Sequence, residues 1–498
     1  MISLGGQGAR AVRIGIAIAL LAFWVAGCSR ANPQADNGDG TSSLSGVQTV
    51  SSQQQPITRY TGEPSKALSF VYTAKKELSL TFDGLGDRET IMRLLDELDK
   101  YQIKATFFVP GMRVAEEPDL VKELVSRGHE VENNTLTRAD LTTLSYEEIY
   151  KEINRTNGLI ADATGKTPQF VRTRGARISD DVRLVAAQTG LQAVVSYNIN
   201  PKDSDMQSAK EIGDYIRKYI SRGGIIALNT DVNPEVVSSI SYIADAANEV
   251  SYKLVPLAKL VQDGGERKPL EQISGYDAAR INPDYKQADY NLIYNAKDIA
   301  KWNSHGKKVV ALTFDDWGSD LTVTRLLKVL SDHDVKATFF LRANGVENNP
   351  NLARAIVEEG HLVANHTYTH PVITQIPPDE LQEEVVKAHR VITEAIQQQP
   401  AMLFRPPTGE INKETAKVIA ATGYKTIALY DVTTLDWNSD HDAQYILNGV
   451  LHQTTNGSVI LLHMLDGIHT LEALPEVIDQ LKRRGYSFVL LDELYGMK

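Results

Sequence analysis

Cysteine occurs once in 498 residues, at Cys28, so no disulfide can form within the chain. Positive charge is in deficit, with 52 Lys and Arg against 63 Asp and Glu and a net charge of −11. Phosphate binding needs clustered Lys and Arg, so this balance argues against a nucleic-acid partner, while a neutral glycan would be indifferent to it. The apolar run from Ile14 to Ala26 falls short of the ~20 residues that span a bilayer. Histidine is almost missing from the first 300 residues: only His129 lies there, and the other ten of the 11 follow. What remains is ordinary globular composition, 42% hydrophobic and 23% charged, neither collagen-like nor broadly disordered. At roughly 100–200 residues per domain the length allows two to four domains.

The first 28 residues carry Arg10 and Arg13, then the apolar run, then Val25-Ala26-Gly27-Cys28. A basic start, a short apolar stretch and small residues at its end describe a secretory signal. The last four residues resemble the bacterial lipobox, in which the cysteine is lipidated and becomes the new N-terminus. Residues 1–28 are therefore read as a lipoprotein signal with Cys28 as the lipidation site; the alternative is an uncleaved anchor helix with an incidental cysteine. Residues 29–65 are rich in Ser, Gly, Gln and Asn and poor in large apolar residues. Such a segment cannot offset its ordering entropy by burial and reads as a flexible tether. Together these features place the protein outside the cytoplasm, lipid-anchored to the bacterial membrane or envelope.

From about Leu68 the chain repeats itself. ELSLTFDGLGD (77–87) matches VVALTFDDWGS (309–319), IKATFFVPG (103–111) matches VKATFFLRANG (335–345), and GHEVENNTLTR (128–138) matches GHLVANHTYTH (360–370). Asp83 and Asp315, Phe107 and Phe339, and Asn134 and His366 are each 232 residues apart. Arg172 and Arg405, like Asp203 and Asp436, are 233 apart, and Asn229 and His463 are 234 apart. A spacing that drifts by two over some 150 residues marks a tandem duplication. The copies are taken as 66–265 and 301–498, joined by a polar linker at 266–300 containing Tyr276, Tyr285, Tyr290 and Tyr294.

In the second copy KVVALTF (308–314) reads as a strand and 321–333 as a helix, followed by KATFFL as strand and helices over 351–360 and 381–397 with apolar residues three and four apart. KTIALYDV is expected as one strand, then helix 443–454, strand SVILLHML and helix 471–485. Alternating strand and helix over about 200 residues implies an α/β fold with a parallel sheet, either a barrel or an open doubly wound one.

His366 and His370 stand four apart, so their side chains can share one helical face or one tight turn. Alone that spacing is a weak metal signal. Asp315-Asp316 strengthens it, because the pair ends the strand that opens the same domain, and the C-terminal strand ends of α/β folds hold functional sites. One carboxylate and two imidazoles leave open positions on a zinc-like ion, as catalytic sites require. The adjacent carboxylate is then free to deprotonate metal-bound water. Further along come Phe404-Arg405-Pro406-Pro407-Thr408-Gly409, a turn made rigid by two prolines, then Asp436-Trp437, then Leu461-Leu462-His463 at the end of a strand. Arg405 can pair with a carboxylate and keep it ionised.

TFDD, His-x₃-His, FRPPxG, DW and LxH, in this order, resemble the five motifs of the polysaccharide deacetylases, the NodB homology domain of carbohydrate esterase family four. The resemblance covers about residues 305–495 and implies two tandem distorted (β/α) barrels of that type. It implies Asp315 as catalytic base, with Asp316, His366 and His370 holding one divalent metal, zinc foremost, with cobalt, manganese or nickel as alternatives. Arg405 would hold Asp315, His463 would protonate the leaving amine, and Asp436 would orient it. Trp437 and Leu461 would line the acetyl pocket, and the backbone N–H of Thr408 would help stabilise the oxyanion. Two departures stand out: the family usually has Tyr where Thr408 stands, and an Asp where Thr433 stands. The implied reaction is hydrolytic deacetylation of an N-acetylated glycan, GlcNAc or MurNAc of peptidoglycan first, a poly-GlcNAc or chitin-like polymer next. The rivals are O-deacetylation of acetylated xylan and a non-catalytic cell-wall glycan-binding protein.

The first copy keeps Asp83, Arg172 and Asp203 but has Gly84, Asn134 and Arg138 where the metal ligands would stand, and Asn229 in place of the acid. It is expected to be inactive, serving as a partner for the second domain or as a glycan-binding module.

Overall fold

The computed structural model describes residues 57–300 and 302–497. The signal segment, Cys28 and the tether up to residue 56 lie outside the described residues. The tether's last stretch, 57–65, lies against the first domain: the Tyr60 N–H donates to Tyr146 Oη at 3.0 Å and Ser65 Oγ to the Leu191 carbonyl at 2.7 Å.

The first sheet holds β1 (Lys66–Leu68), β2 (Glu77–Asp83), β3 (Thr106–Val109), β4 (Glu130–Asn133), β5 (Phe170–Val171), β6 (Ala193–Val195), β7 (Ile225–Asn229) and β8 (Lys253–Leu254). The second holds β9 (Asn291–Ile293), β10 (Lys308–Asp316), β11 (Thr338–Leu341), β12 (Leu362–Asn365), β13 (Leu403–Phe404), β14 (Thr426–Ala428), β15 (Val432–Thr433), β16 (Val459–His463) and β17 (Tyr486–Phe488). Strand order is β1-β6-β5-β4-β3-β2-β7 in the first, with β8 beside β2, and β9-β14-β13-β12-β11-β10-β16-β15 in the second, with β17 beside β10. The two orders correspond strand for strand, with a lone bridge between Ile199 and Ile226 where β15 pairs with β16, and the strand pairs are parallel. The duplication read from residue spacing is thus a duplication of topology, and each distorted barrel is a curled sheet whose two edge strands do not meet.

Two elements differ from expectation. Residues 266–300 do more than connect the copies, because β9 pairs with β14 and supplies an edge strand to the second sheet. Tyr285 and Tyr290 pack on the core of that domain, and the Gly275 carbonyl lies 2.8 Å from His389 Nε2. The single strand expected over KTIALYDV is two, β14 and β15, towards opposite edges of the open sheet. The chain crosses the opening between them. The Leu429 N–H donates to the Ile293 carbonyl on β9 at 2.7 Å, and Asp431 accepts from the Val459 N–H of β16 at 2.8 Å, so this crossing ties the barrel's edges together.

Helices cover both sheets with apolar faces at helical spacing. Helix Pro378–Ile396 buries Leu381, Val385, Ala388, Ile392 and Ile396, each large aliphatic side chain contributing about 1.5–3 kcal/mol on burial. Helix Asp320–Asp332 starts where Ser319 accepts from the Thr322 N–H, and helix Tyr146–Thr164 opens with a Ser145–Glu148 capping box. None of the helices among the described residues is long and apolar enough to cross a membrane.

The two domains share a polar seam. Asn351 of the second donates to the carbonyls of Val71 (2.8 Å) and Arg222 (2.6 Å) and accepts from the Thr73 N–H at 3.1 Å. Arg222, fully buried, faces Asp320, which also accepts from the Tyr252 hydroxyl and from Asn349 Nδ2.

Candidate active site

The end of β10 carries Asp315 and Asp316, flanked by β11 and β16, with Asp315 level with His463 in the parallel register. Asp316 leaves the strand at φ 77°, a left-handed conformation that is strained for a residue with a side chain. The turn after β12 brings His366 and His370 to the same point. Asn365 shapes it by accepting from the Thr367 N–H at 2.9 Å, and Glu384 accepts from the N–H groups of Tyr368 and Thr369 at 2.9 and 2.7 Å. Thr367 and His370 have φ of 66° and 69°. Of the two arrangements open to His-x₃-His, the tight turn is the one present.

Asp316, His366 and His370 each present one ligand atom, all within 4.8 Å of one another. His366 Nδ1 lies 2.8 Å from the Arg405 carbonyl. A carbonyl only accepts, so Nδ1 carries the proton and Nε2 offers its lone pair. Burial lowers the His366 pKa to about 3, which keeps the ring neutral. One carboxylate and two imidazoles suit a divalent transition ion.

Asp315 sits beside this set, its Oδ2 3.8 Å from His366 Nε2. Arg405, fully buried, donates Nη1 to Asp315 Oδ1 and to Thr313 Oγ1, both at 2.8 Å, while its Nε and Nη2 reach the carbonyls of Ala428 (3.0 Å) and Leu429 (3.2 Å). Burial raises the Asp315 pKa, with the charges of Arg405 and His463 acting against it. On the neighbouring strand His463 Nδ1 is held by Asp436 Oδ1 at 2.8 Å, and Asp436 Oδ2 takes the His463 N–H at 2.8 Å and the Thr470 hydroxyl at 2.5 Å. Burial lowers the His463 pKa, but the bond to Asp436 and its charge, with Asp315 and Asp316, outweigh that and raise it overall. Asp315 and His463 thus both line one cavity of about 390 Å³.

Thr408, Trp437 and Leu461 line that cavity with the ligand set. Thr408 has φ 61°, and Trp437 stays 54% exposed, leaving its indole free for a ligand. Tyr430 and Leu435 also line it without a mark in the sequence, because Tyr430 belongs to the crossing between β14 and β15 that the composition disguises as a strand. Asn365 and Thr313 escape residue-by-residue reading too, although the repeat signals both. Asn133 bonds the Thr135 N–H, and Thr81 bonds Arg172, as their counterparts do.

The first copy keeps the frame. Arg172 reaches Thr81 (2.8 Å), Asp83 (3.2 Å) and the carbonyls of Val195 (3.3 Å) and Ser196 (3.0 Å). Asn134 Nδ2 donates to the Arg172 carbonyl at 2.9 Å, as His366 does to that of Arg405, and Asp203 takes the Asn229 N–H at 3.0 Å. In place of a ligand set, Arg138 Nη1 pairs with Asp231 Oδ2 at 2.7 Å. A Cβ on Gly84 would fall 2.1 Å from that same oxygen. An internal ion pair thus stands at the position matching His370 of the second copy.

The polysaccharide deacetylase family profile matches residues 71–194 and 303–427, half of the chain. A peptidoglycan-N-acetylglucosamine deacetylase of Bacillus cereus is 34% identical over 262 residues, covering 51% of this chain and 86% of that protein. The peptidoglycan-N-acetylmuramic acid deacetylase PdaA of Bacillus subtilis is 30% identical over 190 residues, covering 38% of this chain and 72% of that protein. The crystal structure of the Bc1960 peptidoglycan N-acetylglucosamine deacetylase, with a bound N-hydroxybenzamide, has 33% identity and a TM-score of 0.38, covering 42% of this chain and 94% of that one. With both halves matched and the deacetylase motifs gathered around one pocket, the chain belongs to the polysaccharide deacetylase family.

Proposed function

We propose that the second domain removes acetyl groups from N-acetylated sugars of peptidoglycan, GlcNAc or MurNAc, in a reaction that depends on one divalent metal, zinc foremost. The observation that carries this reading is the convergence of Asp316, His366 and His370 within 4.8 Å, in a pocket that Asp315 and His463 also line. Asp316, His366 and His370 would hold a divalent cation, whose charge would polarise the acetyl carbonyl and acidify water. Asp315, held by Arg405, takes the proton from the water that attacks the carbonyl carbon. The Thr408 N–H donates to the oxygen that gains charge. As the C–N bond breaks, His463 gives its Nε2 proton to the departing nitrogen, leaving a free amine and acetate, while Asp436 keeps the ring oriented. Leu461 and Trp437 line the space for the acetyl methyl.

The relatives named above act on peptidoglycan, and a lipid anchor at Cys28 would hold this domain outside the membrane beside that polymer. Acetate release from N-acetylated against O-acetylated glycans, with and without a chelator, tests the reading. Preference for acetylated xylan, or chelator-insensitive release, would overturn it.

A further inference from the structure

We propose that the cleft between the two domains is a distal subsite for the glycan chain whose acetyl group reaches the metal pocket, with the first domain forming one wall. This rests on the deacetylase reading of the second domain. The cleft has a volume of about 510 Å³, and its wall joins the catalytic pocket through Asp316. On one side it is lined by Trp317, Arg342 and Asn344, from the loops that follow β10 and β11. Trp317 is next in sequence to Asp316, and the Arg342 N–H donates to the Asp316 carbonyl at 3.3 Å, so this wall begins at a metal-ligand residue. On the other side stand Asn198, Lys218 and Tyr219 of the first domain, with Tyr219 46% exposed.

The chemistry of the walls fits a neutral polyhydroxylated chain. Sugars present hydroxyls and acetamides at their edges and C–H groups on their faces, so they need amides and donors beside an amphipathic ring. The cleft offers four asparagine amides, two carboxylates, a guanidinium, an ammonium, an indole and a phenol. Two of its polar atoms, Arg342 Nε and Asn344 Oδ1, are buried without a hydrogen-bond partner in the protein. Such groups carry a desolvation cost that a ligand hydroxyl or acetamide would offset. The walls are also fixed relative to each other, since the buried Arg222–Asp320–Tyr252 cluster and the Asn351 hydrogen bonds join the domains next to the cleft. A rigid wall loses little entropy on binding. The first domain has no ligand set for a cation among its described residues, yet it contributes surface where a long chain leaving the catalytic pocket would pass.

The test uses the full chain loaded with metal, and N-acetylglucosamine oligomers from dimer to hexamer. In the parent protein kcat/KM is expected to rise about tenfold with length, as added rings reach the cleft. The double variant Lys218→Ala/Tyr219→Ala, at two exposed positions, should flatten that rise and weaken calorimetric binding of the hexamer about fivefold. A rise with length that is the same in parent and variant, or no rise in the parent, overturns the cleft and leaves the deacetylase reading intact. No acetate release from any oligomer by the metal-loaded parent overturns that reading, and the cleft with it.

Discussion

Arg222 of the first domain and Asp320 of the second meet in full burial, Nη1 3.4 Å from Oδ1, and the Asp320 carboxylate also takes the Tyr252 hydroxyl. Asp320 begins the helix that follows the Asp315-Asp316 pair. Removing one partner of a buried charge pair leaves the other unpaired, at a cost of about 3 kcal/mol. Arg222→Met should lower the stability of the chain by about that amount, read from the urea midpoint at unchanged slope. A change below about half a kcal/mol would mean the seam contributes little.

Metal content should follow the ligand set. His366→Ala and His370→Ala are each expected to reduce bound divalent metal from about one per chain to near zero and to abolish acetate release, measured by elemental analysis and acetate assay on the same samples. Full activity in metal-free His366→Ala protein would sink the assignment.

The acid sets an alkaline limit. His463 is held above the ordinary imidazole pKa by Asp436, so its proton persists to higher pH than a free imidazole's, and activity should fall as that proton is lost. Asp436→Asn removes the counter-charge, lowers the His463 pKa and should move the alkaline limb of the kcat profile to lower pH. His463→Ala should cost about 10²–10⁴-fold in kcat. An unmoved limb in Asp436→Asn would assign that titration to another group.

Restoring the first copy requires more than its ligands. Gly84→Asp, Asn134→His and Arg138→His together leave the Asp231 carboxylate in the space that any side chain at position 84 must enter. In a His366→Ala/His370→Ala background, this triple change should bind no metal, whereas adding Asp231→Ala should allow it. Equal metal binding with and without Asp231→Ala would mean the clash relaxes freely.

Cys28→Ala should abolish lipid labelling and move the protein out of the membrane fraction. Membrane association without lipid label in the parent would favour an uncleaved anchor helix instead.

Much of the catalytic domain is legible in the sequence because its site residues sit at strand ends, where period and motif coincide. Asp315-Asp316 closes β10 and His463 closes β16, and both follow unbroken β-rich runs. The edges are harder to read. β9 is three residues inside a polar, tyrosine-bearing segment, and its apolar content suits a linker as well as an edge strand. The crossing at Leu429–Asp431 is hidden because KTIALYDV has strand composition throughout, and only pairing partners far away in sequence decide where each strand ends. The supports behind the ligands, Asn365 and Glu384, bond to backbone rather than to any reacting group, so residue chemistry alone gives them no mark.

The left-handed backbone at the site bears on how such a domain ages. Asp316 and Thr408 hold φ of 77° and 61°, while the first copy has Gly84 and Gly175 at the matching positions, with φ of 85° and 63°. A side chain in that region costs about 1 kcal/mol or more, and glycine does not incur it. Drift from Asp to Gly therefore runs downhill in folding free energy even as it ends the chemistry, and the Arg138–Asp231 pair then fills the space left behind. With that pair in place, a Gly84→Asp reversion meets both left-handed strain and the Asp231 carboxylate. In a duplicated gene, selection on stability alone would carry one copy into that state and hold it there.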